Sequence, residues 1–241
     1  MNFKIIASIL FSLSLFSQTN TSDKKILIYT FTKGYVHDEA IKEGVLLINE
    51  IGEKNKIQVF HSKTQKSFKS NELLNYDTII FLCTTLNVLD SLQQEKFMDF
   101  IHAGKGFVGI HAAADTEYEW PWYGRLLGAY FVDHPKGTPM ATIHTTSNNP
   151  FFTSHLEKSW EIEDEWYSYN FRNLNIIPLL KLDENTYGGG LNGDNHPITW
   201  YHEFEGGRSF YTGLGHHKKT YKDSRFKKLL EKGILYAIHG L

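Results

Sequence analysis

Apolar residues follow two spacings along the first half of this chain. The first is a set of short, nearly continuous runs: KILIYTF (25–31), IQVF (57–60), DTIIFLC (77–83) and GFVGI (106–110). Apolar runs without polar alternation mark strands that are buried on both faces. Between them the spacing lengthens to three and four. Ile41, Val45 and Ile48 define one helix face, with Asp38 as the expected N-cap and Gly52 as the expected end. Asp90 followed by Gln93 reads as a capping box, opening a second helix with Leu92, Phe97, Phe100 and Ile101 on its inner face. Strands alternating with helices predict an α/β fold built on a parallel sheet with helices on both faces.

Beyond residue 116 the pattern loosens. Short β-like runs occur at 141–146, 176–182, 197–201 and 208–214, and the chain closes with an amphipathic helix carrying Phe226, Leu229, Leu230, Ile234, Ala237 and Ile238. No stretch is rich enough in Pro, Gly or Ser to divide domains. The loop YGGGLNGDNHP (187–197) lacks the GxGxxG spacing of a phosphate cradle, and no helical pattern follows it. Residues 18–241 therefore read as a single domain with loop and strand insertions.

Residues 1–17 have a different character. Lys4 precedes an apolar run from Ile5 to Phe16, and the small Ser17 stands before Gln18. This is the pattern of a secretory signal peptide cleaved near Ser17–Gln18. The run is too short to span a membrane, which takes about 20 apolar residues, so no stable membrane insertion is expected. The expected location is outside the cytoplasm, in a bacterial periplasm. A formal net charge of −2 excludes an electrostatic nucleic-acid binder, which would need a basic face. The single cysteine, Cys83, cannot form an intramolecular disulfide and reads as a small buried hydrophobe. The pattern specifies no oligomeric state.

In an open parallel sheet, ligands bind beyond the carboxyl ends of the strands. GFVGIHAAAD (106–115) places His111 there, on a sharp turn where other α/β enzymes carry a nucleophile, and Ala112, Ala113 and Ala114 keep the start of the helix expected after it small. His37 and Asp38 follow the first strand. His134, His196, His202, His216 and His217 come with pocket-like neighbours. Tyr118, Trp120, Trp122 and Tyr123 surround Pro121 too closely for one helix stripe; they serve either core packing or stacking on sugar C–H faces. In WEIEDEWYSY (160–169), strand alternation turns Asp164 inward beside Trp166, whereas Glu165 would reach a site at the strand end; both remain open. A metal site from His111, His134 and a carboxylate is compatible with these positions, so a divalent metal is possible. No other cofactor is expected.

The segments GYVHD (34–38), GFVGIHAAADTEYEWPWYGRLLGAYFVDHP (106–135), DEWYSY (164–169), LDENTYGGG (182–190), NHPITWYHEFEGGRSFYTGLGHH (195–217) and GILYAIHG (233–240) together resemble the ThuA-like family, associated with trehalose utilisation. The resemblance covers the chain from about residue 25 to its end. It implies a flavodoxin-like fold similar to class I glutamine amidotransferases, whose elbow cysteine is replaced here by His111. It points to His37, His111, Glu165 and His217 as catalytic positions, and to Asp115, Trp120, Tyr123, His134, His202 and Arg208 as substrate-binding positions. Val36 stands where family members often carry a basic residue. The implied activity is a carbohydrate-active hydrolase, lyase or isomerase acting on disaccharides or 3-keto-glycosides by histidine acid/base chemistry, since a C3 ketone acidifies the C2 proton enough for an imidazole to remove it. A sugar-binding module without turnover and a metal-dependent sugar hydrolase are the alternatives.

Overall fold

A computed structural model describes residues 24–68, 71–147 and 149–241. The signal-peptide reading of residues 1–17 lies outside the described residues. In chain order the first half runs β1 (Lys25–Tyr29), α1 (Asp38–Asn55), β2 (Gln58–Ser62), β3 (Thr78–Leu82), α2 (Ser91–His102), β4 (Gly106–Ile110) and α3 (Pro121–Leu127). The second half runs β5 (Ala129–Asp133), β6 (Met140–Thr145), α4 (Pro150–Thr153), β7 (Ser159–Glu163), β8 (Ser168–Phe171), β9 (Ile177–Leu182), β10 (Pro197–Phe204), β11 (Gly207–Thr212) and α5 (Ser224–His239).

One sheet of nine strands, in the order β2-β1-β3-β4-β11-β10-β9-β6-β7, organises the molecule. Its first five strands are parallel, in the flavodoxin-like order, and the other four extend it antiparallel. β1, β3 and β4 are the continuous apolar runs of the sequence, whereas β2, expected from IQVF to be covered on both faces, lies at the edge of the sheet and is largely exposed. Ile79, Ile80, Phe81 and Leu82 of β3 are all fully buried, each side chain contributing about 1.5–3 kcal/mol of hydrophobic stabilisation. The loosely patterned second half does not form a separate layer. It continues the same sheet, apart from a β5–β8 ribbon that stands outside it.

The helix ends depart from the sequence reading in three places. Asp38 is the first helical residue rather than the cap; His37 occupies the cap and contributes no side-chain bond. Gly52 does not end α1, which runs on to Asn55 and stops at Lys56 in the left-handed conformation. A Cβ on Gly52 would lie 2.4 Å from Cγ2 of Val59, so the glycine is there to let β2 approach the helix. Leu92 is exposed and Gln93 buried in its place, because the capping box of Asp90 and Gln93 turns Gln93 back onto the helix start and leaves Leu92, the second helical residue, outward. On one face of the sheet α5 packs on Phe210 through Gly233. On the other, Phe97 of α2 meets Phe81, Phe107 and Trp122.

Candidate active site

The four central parallel strands deliver their carboxyl ends to one edge of the sheet. His37 closes the loop after β1, Cys83 follows β3, His111 follows β4, and the loop Gly213–His217 follows β11. His111 adopts φ +50°, the left-handed region that costs a non-glycine residue roughly 1–2 kcal/mol. The Tyr211 hydroxyl donates to its carbonyl at 2.9 Å, and its ring lies 4.4 Å from that of Tyr167. The sharp turn expected from GFVGIHAAAD is present, but in place of the expected helix a short 3₁₀ segment, His111–Asp115, follows.

Around His111 gathers a compact group. His37, His111, Glu165 and His216 each offer a donor atom within 4.8 Å of the others. His111 Nε2 is 3.3 Å from Glu165 Oε2 and 3.2 Å from His216 Nδ1, and His216 Nδ1 is 3.1 Å from the same carboxylate oxygen. The other oxygen, Oε1, lies 3.4 Å from His134 Nδ1. The His37 ring stands edge-on to those of His111 and His216, at 5.0 and 5.1 Å. His111 Nδ1 is 2.9 Å from the carbonyl of Gly213. A carbonyl only accepts, so Nδ1 carries the proton and Nε2 faces the cluster.

The alternative between Asp164 and Glu165 resolves into two different tasks. Asp164 is fully buried, and its carboxylate accepts from the backbone N–H groups of Glu165, Gly215, His216 and His217 and from the Thr220 hydroxyl, all at 2.8–3.1 Å. It curls the loop after β11, and the curl turns His216 inward. Glu165 then stands at the cluster itself.

Electrostatics follow from burial and proximity. Burial works to raise the Glu165 carboxyl, but the hydrogen bonds and charges of His111 and His216 outweigh it and hold the group well below the usual carboxylate range. Burial, with the neighbouring imidazoles, pushes His37 down to about 3. For His216 burial lowers and Glu165 raises, and Glu165 prevails. Asp115 is raised by burial, against the hydrogen bond donated by the Tyr118 hydroxyl at 2.7 Å.

A pocket of about 360 Å³ opens onto the group, lined by Tyr35, His37, Asp115, Phe131, His134, Glu165, Tyr167 and His216. Beside it a smaller one, about 250 Å³, is shared by Tyr35, His37, His216 and His217. Of the residues expected from sequence, His37, His111, Asp115, His134 and Glu165 converge. His111 itself has no exposed surface and sits behind the pocket wall.

Five positions are corrected. His217 lies at the rim, its Nδ1 accepting from the Lys219 N–H, while its neighbour His216 enters the cluster. Trp120 stacks on Trp122 and Tyr123, and Tyr123 is fully buried with its hydroxyl donating to Ala113 O; both serve packing. His202 is buried on β10 and binds the carbonyl of Arg125. Arg208 stands near the start of β11, at the opposite edge of the sheet, and donates to the carbonyls of Gly104, Ala237 and Ile238, capping the end of α5. The sequence reading missed Tyr35, Phe131 and Tyr167 as pocket walls. Strand alternation would have turned Tyr167 outward after Trp166; it reaches the pocket because residues 164–167 leave the strand between β7 and β8.

Residues 25–237 match the model of a family described as ThuA, trehalose utilisation. Among solved structures, a ThuA-like protein from Bacteroides uniformis is similar over 89% of this chain and 91% of its own, with 20% identity and a TM-score of 0.76. One from Parabacteroides merdae is similar over 90% and 91%, with 18% identity and a TM-score of 0.72. A cytoplasmic protein of Salmonella typhimurium, STM3548, shares the fold at 10% identity and a TM-score of 0.59, over 88% of this chain and 98% of its own. No curated protein matches the chain in sequence.

Proposed function

The chain belongs to the ThuA family of trehalose utilisation, and from that premise we propose that it is a carbohydrate-active enzyme working by proton transfer beside a sugar carbonyl. One observation carries the reading: a titratable pair, His134 and Asp115, borders an aromatic-walled pocket directly in front of a histidine–carboxylate cluster. Tyr35, Phe131 and Tyr167 offer flat surfaces for the C–H faces of a sugar ring.

His134 is the base in this reading. Its Nδ1 hydrogen goes to the Pro135 carbonyl at 2.9 Å, with Glu165 Oε1 close by at 3.4 Å, so Nε2 keeps the lone pair. An imidazole held in this tautomer turns a free Nε2 lone pair toward the pocket, where it can accept a substrate proton. Asp115, raised by burial, is the acid. His111, fully covered, acts through Glu165 and is a positioning residue rather than the proton acceptor. On a glycoside bearing a ketone at C3, His134 takes the C2 proton and leaves an enolate. The enolate collapses to a C1–C2 double bond as the C1–O bond breaks, and Asp115 protonates the departing oxygen. Addition of water to that double bond completes hydrolysis; reprotonation at C2 before the bond breaks gives isomerisation.

The test is incubation with a panel of 3-keto-glycosides in deuterated water. Deuterium should enter C2 and the substrate should be consumed. His134→Asn should lose about 10²–10⁴-fold in both rates while still binding sugar. Binding without exchange or consumption would instead favour a sugar-binding module, which the aromatic walls alone would serve. Absence of any binding overturns both.

A further inference from the structure

We propose that His37, His111, His216 and Glu165 form a binding site for one divalent transition-metal ion, of the zinc type, with a coordination position open to the pocket. The inference rests on the proposed function only for where the reaction centre lies, because ion binding is measurable without substrate.

The spacing is the first argument. Ligand atoms held at about 2.0–2.2 Å from a zinc-type ion lie roughly 2.8–3.6 Å from one another across octahedral or tetrahedral edges. The three closest donor pairs of the cluster stand at 3.1, 3.2 and 3.3 Å. Three imidazole nitrogens with one carboxylate oxygen are the donor set that zinc and its first-row neighbours select, whereas calcium and magnesium take oxygen.

Hydrogen-bond accounting is the second. The Gly213 carbonyl takes the Nδ1 proton of His111, so a neutral His111 turns a bare lone pair toward Glu165 Oε2 and His216 Nδ1. A proton on His216 can satisfy one of those contacts and leaves another pair of acceptors facing each other. His37 adds a buried Nδ1 with no partner at all. A single cation among the four resolves these mismatches together.

The surroundings are built as outer shells of metal sites are. One ligand's remote nitrogen is anchored on a backbone carbonyl, the arrangement that fixes a metal-bound imidazole's tautomer. Asp164 fixes the backbone of another. Glu165 keeps Oε1 on His134. The ligand set is reached through the pocket by His37, Glu165 and His216. An ion there would polarise a sugar carbonyl or hydroxyl at the pocket floor, leaving proton transfer to His134 and Asp115.

The experiment uses the purified full-length protein, stripped with chelator and titrated with Zn²⁺ and Co²⁺ under calorimetry, with metal content read by mass spectrometry. One ion per chain should bind, the Co²⁺ form should show ligand-field absorption of a nitrogen-rich site, and Zn²⁺ should raise the thermal midpoint. His216→Gln and Glu165→Gln should weaken binding by about a hundredfold or more, and Asp164→Asn by about 10–100-fold. His217→Ala should bind as the parent does. Should the folded parent protein take up no ion at millimolar Zn²⁺, or should His217→Ala lose it as His216→Gln does, the site is overturned. A protein that binds the ion but consumes no keto-glycoside sinks the proposed function and leaves the site standing.

Discussion

Cys83 directly follows β3 much as His111 follows β4, both in left-handed backbone conformation, at φ +51° and +50°. The two residues occupy equivalent addresses on adjacent strands, and their surroundings assign them opposite roles. The Cys83 thiol is enclosed, 3.9 Å from the Gly215 carbonyl and 4.0 Å from the Tyr221 hydroxyl, and burial pushes it up to about 12. A thiolate is the reactive form, so this sulfur is inert at neutral pH. Folded protein should resist a thiol-specific reagent and react fully once unfolded by urea. Cys83→Ala should cost about 1–2 kcal/mol of stability from the lost buried volume and leave turnover within a few-fold. Loss of turnover in a folded Cys83→Ala protein would mean that the thiol takes part in the chemistry. This much was legible in the sequence, because a cysteine inside an apolar run has nothing to stabilise its anion.

At the scale of elements, a single carboxylate ties the amino ends of three strands. Asp77 accepts from the backbone N–H of Lys25 at 3.0 Å and from Lys24 Nζ at 3.1 Å, and Lys105 Nζ stands 3.7 Å away. Its own carbonyl accepts from the Gly106 N–H at 2.9 Å. Burial works to raise its pKa, but the backbone bond and the two lysines prevail and lower it below the ordinary 3.8. A group lowered in the folded state stabilises above its unfolded pKa, and that contribution disappears as pH falls through the folded value. Asp77→Asn should therefore cost about 1 kcal/mol in urea unfolding at pH 7, and the difference from the parent should vanish at acid pH below the folded pKa; a difference that persists there contradicts the charge-based account. The elements themselves were unequally legible. β1, β3 and β4 were plain because both of their faces are covered, which leaves an uninterrupted apolar run. Of the antiparallel strands, β6, β7 and β9 carry half-exposed patterns while β10 is mostly buried, and their place in the same sheet depends on pairings that no local pattern encodes. His216 was passed over for His217 because the choice is made by Asp164, some fifty residues earlier, folding the loop around its carboxylate.

Across the whole molecule, the site joins the two halves of the sheet. The imidazoles of His37, His111 and His216 come from the ends of parallel strands, whereas Glu165 follows β7 at the far antiparallel edge and His134 follows the β5 ribbon. No helix among the described residues is long and apolar enough to cross a membrane. The leader read in residues 1–17 predicts that the mature chain begins near Gln18, which mass spectrometry of protein from the native host would establish; an N-terminus still at Met1 in the cytoplasm would contradict it. The convergence of separated histidines was foreseeable from strand-end placement, while the packing roles of Trp120, Tyr123, His202 and Arg208 were not, since aromatic and cationic residues look alike in sequence whether they face a ligand or a neighbouring helix. One carboxylate, Glu165, serves His111 and His216 through one oxygen and His134 through the other. Its consequence is genetic as much as chemical. Once that residue is lost, the neighbouring histidines lose their common partner, and further changes among them carry little additional penalty. Divergence at this centre is therefore epistatic, and descendant copies that abandon the glutamate are free to shed the histidines together.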